Sequence, residues 1–226
     1  MRPRLLDLFC GAGGAAMGYH RAGFDVVGVD IKPQPHYPFE FHQADALTFT
    51  LAGFDAIHAS PPCQAYSNAT NAATKARHEK LIRPVQDRLV AFGLPYVIEN
   101  VVGAEIDASL LLCGSMFGLA VKRHRLFATS EFLWAPEHVC QRAVEARKRF
   151  PAPDHLTSRP YYLDGREEGR VYGVTGESRG KGCIPFWATL MDMPWATTTR
   201  DLVEAIPPAY TEWIGAQLLR ALGVAA

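Results

Sequence analysis

Leu5-Leu6-Asp7-Leu8-Phe9-Cys10-Gly11-Ala12-Gly13-Gly14 is an apolar run of strand character that breaks into glycines, and the residues after it keep helical spacing to about Arg21. A buried strand turning sharply into a helix is the first half of a βαβ unit. Glycines in such a turn let the backbone approach a ligand closely, and the free amides of the helix N-terminus face it. The spacing departs from the dinucleotide pattern Gly-x-Gly-x-x-Gly, so the turn alone does not separate a ligand site from tight packing.

Working outward, the same alternation repeats. Phe24-Asp25-Val26-Val27-Gly28-Val29 predicts a second strand ending at Asp30, and a short third one near 39–43 ends at Asp45. Phe54-Asp55-Ala56-Ile57-His58-Ala59 predicts a fourth, stopped by Pro61-Pro62. Helical spacing of Leu81, Ile82, Val85, Leu89, Val90 and Phe92 predicts a helix over 75–92, and Pro95-Tyr96-Val97-Ile98 a fifth strand ending at Glu99. Strands alternating with helices imply an α/β fold with a mainly parallel sheet and helices on both faces. After Arg125-Leu126-Phe127-Ala128 the pattern degrades. Residues 131–186 are rich in Pro, Gly, Arg and Glu without a period, and a helix resumes over 207–222. The expected organisation is a main domain of 1–130 and 187–226 carrying a small irregular insertion, 131–186.

The chain of 226 residues is 48% hydrophobic, enough for a full core. Its N-terminus, Met1-Arg2-Pro3-Arg4, carries no apolar stretch of signal-peptide type, and no segment approaches the roughly 20 apolar residues of a membrane span. Five scattered cysteines do not make a disulfide framework. A soluble protein of a reducing cytoplasm is expected. Formal net charge is zero, but residues 120–185 hold twelve Lys/Arg against eight Asp/Glu while both flanks are mildly acidic. That asymmetry permits nucleic-acid contact through one region, and a solvated helix face explains it equally well.

Single residues then stand out. Cys63, in Ala59-Ser60-Pro61-Pro62-Cys63-Gln64, leaves the fourth strand through two prolines that fix the backbone and remove two amide donors. A cysteine held there sits at the sheet edge where open α/β folds bind ligands, although a buried core cysteine is the bland alternative. Asp30 can accept both hydroxyls of a ribose and Asp45 an exocyclic amine; singly, each reads as a cap or turn former. His138, Cys140, His155 and Cys183 lack Cys-x-x-Cys spacing, so no metal site is expected from them, and Cys10 and Cys113 read as core residues.

Five blocks occur in order: Phe9-Cys10-Gly11-Ala12-Gly13-Gly14, Pro61-Pro62-Cys63-Gln64, Ile98-Glu99-Asn100-Val101, Lys122-Arg123-His124-Arg125 and Ala205-Ile206-Pro207-Pro208. Together they resemble the DNA cytosine-5 methyltransferases, over almost the whole chain except 130–186. The resemblance implies a Rossmann-like S-adenosylmethionine-dependent methyltransferase fold, with S-adenosyl-L-homocysteine as product. It makes Cys63 the nucleophile at carbon 6 of cytosine, Glu99 the acid at ring nitrogen 3 and the exocyclic amine, and Arg125 the partner of the base carbonyl. Arg123 is assigned to the catalytic loop or a phosphate, and Asn100 to orienting the loop. Cofactor contacts fall to Phe9, Cys10, Gly11, Ala12, Gly13 and Gly14, to Asp30 and Ile31, to Asp45 and Ala46, to Pro61, and to Glu204, Ala205 and Ile206. Glu204 departs from the family, which has Asn there; an ionised carboxylate would repel the cofactor's own.

Residues 131–186 fall where the family keeps its target-recognition region. Gln64, Ser67, Arg147, Lys148, Arg170 and Arg179 are the DNA-contacting candidates, and base flipping is implied. The expected partner is double-stranded DNA, bound by a monomer without a membrane, in the manner of a restriction-modification or phage enzyme with a cognate endonuclease of the same site. Three other readings use the same motifs: an RNA (tRNA) cytosine-5 methyltransferase, an inactive DNA-binding regulator, and transfer of a group other than plain methyl.

Overall fold

The computed structural model describes residues 1–67, 71–119, 121–138, 158–163, 166–172 and 184–224. Its centre is a seven-stranded sheet ordered β3-β2-β1-β4-β5-β7-β6. The strands are β1 (Arg4–Leu8), β2 (Asp25–Asp30), β3 (Glu40–Gln43), β4 (Ala56–Ala59), β5 (Tyr96–Val101), β6 (Leu110–Leu112) and β7 (Arg125–Thr129). Strands β1 to β5 pair in parallel, whereas β7 runs antiparallel to both β5 and β6. The helices are α1 (Gly14–Ala22), α2 (Ala72–Lys75), α3 (Ile82–Phe92), α4 (Ile184–Met191), α5 (Thr199–Glu204) and α6 (Pro208–Ala221).

Strand periodicity decides what lies on each face. Leu5, Val26, Ala56, Val97 and Phe127 join α1 and α6 in one buried cluster with Tyr19, Tyr210 and Ile214. Their neighbours Leu6, Val27, Ile57, Ile98 and Ala128 point the other way and pack with Val85 and Leu89 of α3. Successive strand side chains alternate faces, so both faces are apolar and both are covered by helix. From β1 the chain proceeds outward one way to β2 and β3, and from β4 the other way to β5. The loops after β1 and β4 therefore open side by side at the carboxyl edge, the place where open α/β sheets form their crevice.

Helices α1 and α6 cross in direct contact. A Cβ at Gly18 would lie 2.1 Å from both the Pro208 carbonyl oxygen and Thr211 Oγ1. The missing side chain lets the Thr211 hydroxyl donate to the Ala15 carbonyl at 2.8 Å. Gly18→Ala is expected to lower unfolding free energy by about 2 kcal/mol, the scale of overpacking a close contact. Urea denaturation with an unchanged midpoint would show that the helices can separate freely, contrary to this packing.

Three expectations change. The helix expected over 75–92 begins only at Ile82, as α3; the short α2 ends at Lys75, and residues 76–81 between them are outside helix. The stretch expected to be irregular contains a two-stranded antiparallel ribbon, β8 (Ser158–Leu163) and β9 (Arg166–Tyr172). Helix α4 begins at Ile184, three residues before the expected return at 187, and buries Trp187, Ala188, Leu190 and Met191 against Ala12, Val121 and Leu202. Strand β6 carried no clear signal, since three residues are too few to show a period. Among the described residues, no helix is long and apolar enough to cross a membrane.

Candidate active site

Both loops at the switch point face one cleft of about 520 Å³. On one side the β1–α1 turn is strained: Phe9, a non-glycine residue, adopts φ 60°, and Gly11 follows at φ 49°. Left-handed backbone in an aromatic residue persists only where its surroundings impose it. Here the Cys10 amide donates to the Val29 carbonyl at 3.1 Å, and Asp30 Oδ2 accepts from the Gly11 amide at 3.1 Å. Asp30 Oδ1 accepts from Lys32 N at 2.9 Å, so this carboxylate braces the turn and retains lone pairs for a ligand. Asp45 Oδ1 similarly caps Leu47 N at 2.9 Å, and Arg88 of α3 donates to the Ala46 carbonyl at 2.8 Å, fixing that loop from below. Ile31 is 65% exposed beside Asp30 and lines the cleft, an apolar surface suited to a flat ring.

Of the residues assigned to the cofactor, all line the cleft except Gly13. A Cβ at Gly13 would instead meet Pro38 Cδ at 2.7 Å, so that glycine serves packing against the 37–38 segment. The Glu204 problem resolves through a neighbour: Arg200, one turn earlier on α5, donates to Glu204 Oε2 at 3.1 Å, and both line the cleft. The guanidinium offsets the extra negative charge.

Asp7 was not singled out by the sequence. It is 0% exposed and lines the cleft, with the Tyr37 hydroxyl as its polar neighbour. Burial, then Asp30, pushes its pKa well above the carboxylate range. A buried acid held neutral at the floor of a cleft offers a ligand one O–H donor and an acceptor oxygen. With the open Gly11 turn, Asp30, Asp45, Ile31 and Arg200, the donor set fits S-adenosylmethionine.

The chemical end lies across the cleft. After β4 the Ser60 amide bonds the Leu8 carbonyl at 3.1 Å, and the amides of Tyr66 and Ser67 both bond the Cys63 carbonyl at 2.9 Å, closing a turn that presents Cys63. Asn100, 1% exposed, donates from Nδ2 to the Pro61 carbonyl at 2.9 Å and so ties β5 to this loop. Antiparallel register sets Glu99 opposite Phe127, placing it on the same face as Arg125 two residues away. Arg125 Nε meets Glu99 Oε1 at 2.9 Å, with both side chains largely buried. Cys63, Gln64, Glu99 and Arg125 line the cleft together, and Gln64 Oε1 is shielded without a protein partner.

Burial shifts the two acids in the same direction, and Arg125 opposes it at both. Burial raises the Cys63 pKa above the ordinary thiol value, with Arg125 working against it. Glu99 is likewise raised, by burial, while Arg125 and a hydrogen bond from Ser60 pull down. Arg123 is 7% exposed and donates to the Val203 carbonyl, while its own carbonyl accepts from the Tyr210 hydroxyl. These bonds tie Arg123 to the C-terminal block. Burial lowers its pKa to about 9, still cationic at neutral pH.

Behind Glu99 runs a buried chain the sequence did not reveal. His58 Nδ1 lies 3.0 Å from the Tyr19 hydroxyl and His58 Nε2 2.9 Å from Ser60 Oγ, which bonds Glu99. Burial lowers the His58 pKa to about 3. Below about pH 6.5 the unfolded chain therefore takes a proton that the folded chain refuses. Stability present above that pH falls by about 1.4 kcal/mol per unit as pH drops toward 3. Urea unfolding between pH 7 and 5 should be about one proton steeper for wild type than for His58→Gln; equal slopes would refute a neutral buried His58.

Ser67 lies outside the main cleft, in a second hollow lined by Val101, His124, Arg125 and His138 among others. Arg147, Lys148 and Arg179 lie outside the described residues; Arg170 is placed on β9 by its backbone.

A switch-point cleft with a glycine turn, ordered aspartates and a seven-stranded α/β sheet defines an S-adenosylmethionine-dependent methyltransferase fold. Residues 3–104 match the family model of the C-5 cytosine-specific DNA methylases. That match takes in just under half of the chain, so the likeness to this family is carried by the N-terminal part of the sheet and its loops. Solved structures share the fold along the whole length. One is an E. coli prophage-encoded protein assigned as a DNA modification methyltransferase, with 16% identity, TM-score 0.63, and 98% of this chain and 99% of that chain covered. The S. pombe Dnmt2 methyltransferase shows 14% identity and TM-score 0.58, and the Entamoeba histolytica methyltransferase EhMeth 11% and 0.59, each at the same coverage. No curated protein matches the chain in sequence.

Proposed function

We propose that the protein methylates carbon 5 of a cytosine flipped out of double-stranded DNA. The observation that carries this reading is the Glu99–Arg125 pair at 2.9 Å, buried beside Cys63 in a cleft continuous with the glycine turn. S-adenosylmethionine supplies an electrophilic methyl group when bound between the Gly11 turn, Asp30, Asp45 and Arg200. Cys63 Sγ bonds to carbon 6 of the ring, turning an electron-poor heterocycle into an enamine nucleophilic at carbon 5. Glu99, kept protonated more readily by burial, donates to ring nitrogen 3 and takes up the charge that the thiolate brings in. Arg125 offers N–H donors to the base carbonyl and holds Glu99 in place. After transfer, the carbon 5 proton leaves to a base, the carbon 6–sulfur bond breaks, ring nitrogen 3 returns its proton to Glu99, and the Cys63 thiolate is regenerated. A base inside a duplex cannot reach this cleft, so flipping precedes addition.

DNA as substrate is supported by the family's description and by likeness to a prophage protein assigned to DNA modification. In that setting a cognate endonuclease of the same site is the partner we assign. Bisulfite sequencing of DNA from cells expressing the protein, with Cys63→Ala alongside, is the test. Protected cytosines that vanish in the variant are expected. Equal protection in the variant, or protection of RNA cytosines and not DNA, would overturn the reading.

A further inference from the structure

Three residues outside the catalytic cleft converge from separate parts of the chain. Cys113 caps the 3-10 turn Gly114–Phe117 after β6, His124 immediately precedes β7, and His138 follows the segment that crosses α6. Their ligating atoms, one sulfur and two imidazole nitrogens, all lie within 4.8 Å of one another. The two Nε2 atoms are 3.1 Å apart, with the rings nearly perpendicular at 88°. Two imidazoles on one tetrahedral zinc, at Zn–N of about 2.0–2.1 Å, would place their nitrogens about 3.3 Å apart.

A hydrogen bond between one neutral histidine and the other would give the same distance, so the cysteine decides between the two. Cys113 is 0% exposed, yet its sulfur is not packed as a simple hydrophobe. It accepts from the Met116 amide within the turn and from the Ser115 hydroxyl at 3.4 Å. That sulfur also lies within 4.8 Å of both imidazole nitrogens, a third ligating atom that a hydrogen-bonded histidine pair does not call for. The segment bearing His138 is held as well. The Trp134 amide donates to Gln217 Oε1 at 2.9 Å, and the Trp134 carbonyl accepts from Trp213 Nε1 and Gln217 Nε2, each at 3.0 Å. This clamp on α6 delivers His138 to His124.

We propose that Cys113, His124 and His138 bind a divalent transition-metal ion of borderline softness, zinc foremost, with a water in the fourth position. One thiolate and two imidazoles match zinc's usual donors. The Cys113 thiol proton is released to solvent as the sulfur–zinc bond forms, and the site keeps one net positive charge. His124 lies between Arg123 and Arg125, so the ion braces the start of the strand that carries the base-holding guanidinium. It also adds positive charge at the rim of the hollow shared by Ser67, His124, Arg125 and His138. Sequence spacing conceals such a site, because ten and thirteen residues separate the ligands and no Cys-x-x-Cys announces it.

The test is metal content and cobalt titration of the tag-free full-length protein. About one ion per chain is expected, and Co²⁺ should give a sulfur-to-cobalt charge-transfer band with tetrahedral d–d absorption. His138 is exposed, so His138→Ala should leave the fold intact and weaken binding by about 100-fold or more, beyond the loss from an outer-shell change. Cys113→Ser should remove the charge-transfer band, and far-ultraviolet circular dichroism reports whether that variant folds. Cys63→Ala and the remote His42→Ala should bind as wild type. No binding at stoichiometric metal, an octahedral cobalt spectrum without sulfur, or undiminished binding in His138→Ala would each overturn the site and leave a hydrogen-bonded histidine pair.

Discussion

Cys63→Ser will reduce methyl transfer by about 10⁴-fold or more, equivalent to about 5.5 kcal/mol of activation free energy, while folding and cofactor affinity stay near wild type. The size follows from the nucleophile. A serine hydroxyl ionises far less readily than a thiol, and in this site burial already pushes the Cys63 pKa up against the pull of Arg125. An alkoxide there would be disfavoured more strongly still. The raised thiol pKa also fixes a direction with pH: less thiolate is present at neutrality than on a free cysteine, so adduct formation should accelerate as pH rises through the alkaline range. DNA carrying 5-fluorocytosine gives a direct readout, since a fluorine at carbon 5 cannot leave as a proton and the carbon 6–sulfur bond persists. Wild type should form a denaturation-resistant complex with that DNA, and Cys63→Ser none. A trapped complex in the variant would put the nucleophile elsewhere.

Glu99→Gln is the second large effect, about 10²- to 10⁴-fold in kcat, the range of positioned proton transfer. Glutamine keeps the shape and can still hydrogen-bond the base, so DNA binding should change little. What it cannot do is deliver a proton to ring nitrogen 3 as sulfur adds, and it leaves Arg125 facing an uncharged partner in a site where Glu99 is 6% exposed. The expected signature is a fall in kcat with KM nearly constant in single-turnover and steady-state assays. A rise in KM alone would make Glu99 a binding contact rather than a proton donor.

The neighbours of these two residues show how far each is supported. Asn100 fixes the Pro61 carbonyl, Ser60 reaches Glu99, and His58 backs Ser60 from within the sheet. Three strands thus hold one reacting geometry. Cys63 leaves from β4, Glu99 sits on β5, and Arg125 opens β7. Rigid elements position catalytic groups more tightly than loops do, so the preorganisation lies in the strand pairing itself.

Much of this was legible in residue order. Runs ending in Phe9, Asp30, Asp45, Pro61 and Glu99 give β1 to β5 and the parallel pairing, because strand patterning is local and each run carries its own signal. The glycine turn and the Pro-Pro-Cys-Gln and Glu-Asn-Val blocks were readable for the same reason: their chemistry needs those residue types next to one another. Distance along the chain hid the rest. Nothing in the motif around Arg123 announces its bonds to Val203 and Tyr210, about 80 residues on. Glu204 looked repulsive until Arg200 was found beside it. Gly18 became a helix contact only when α6 was laid against α1, and Asp7 a cleft residue only when the sheet closed over it. The Cys113, His124 and His138 grouping exists solely because β6, β7 and the strap over α6 meet. The sequence by itself determined which reactive residue types stand together in local motifs, since a motif is a property of neighbours along the chain. Only the tertiary structure decided which charges are paired, which acids are raised and which distant ligands converge, because burial and through-space contact are properties of the packed chain.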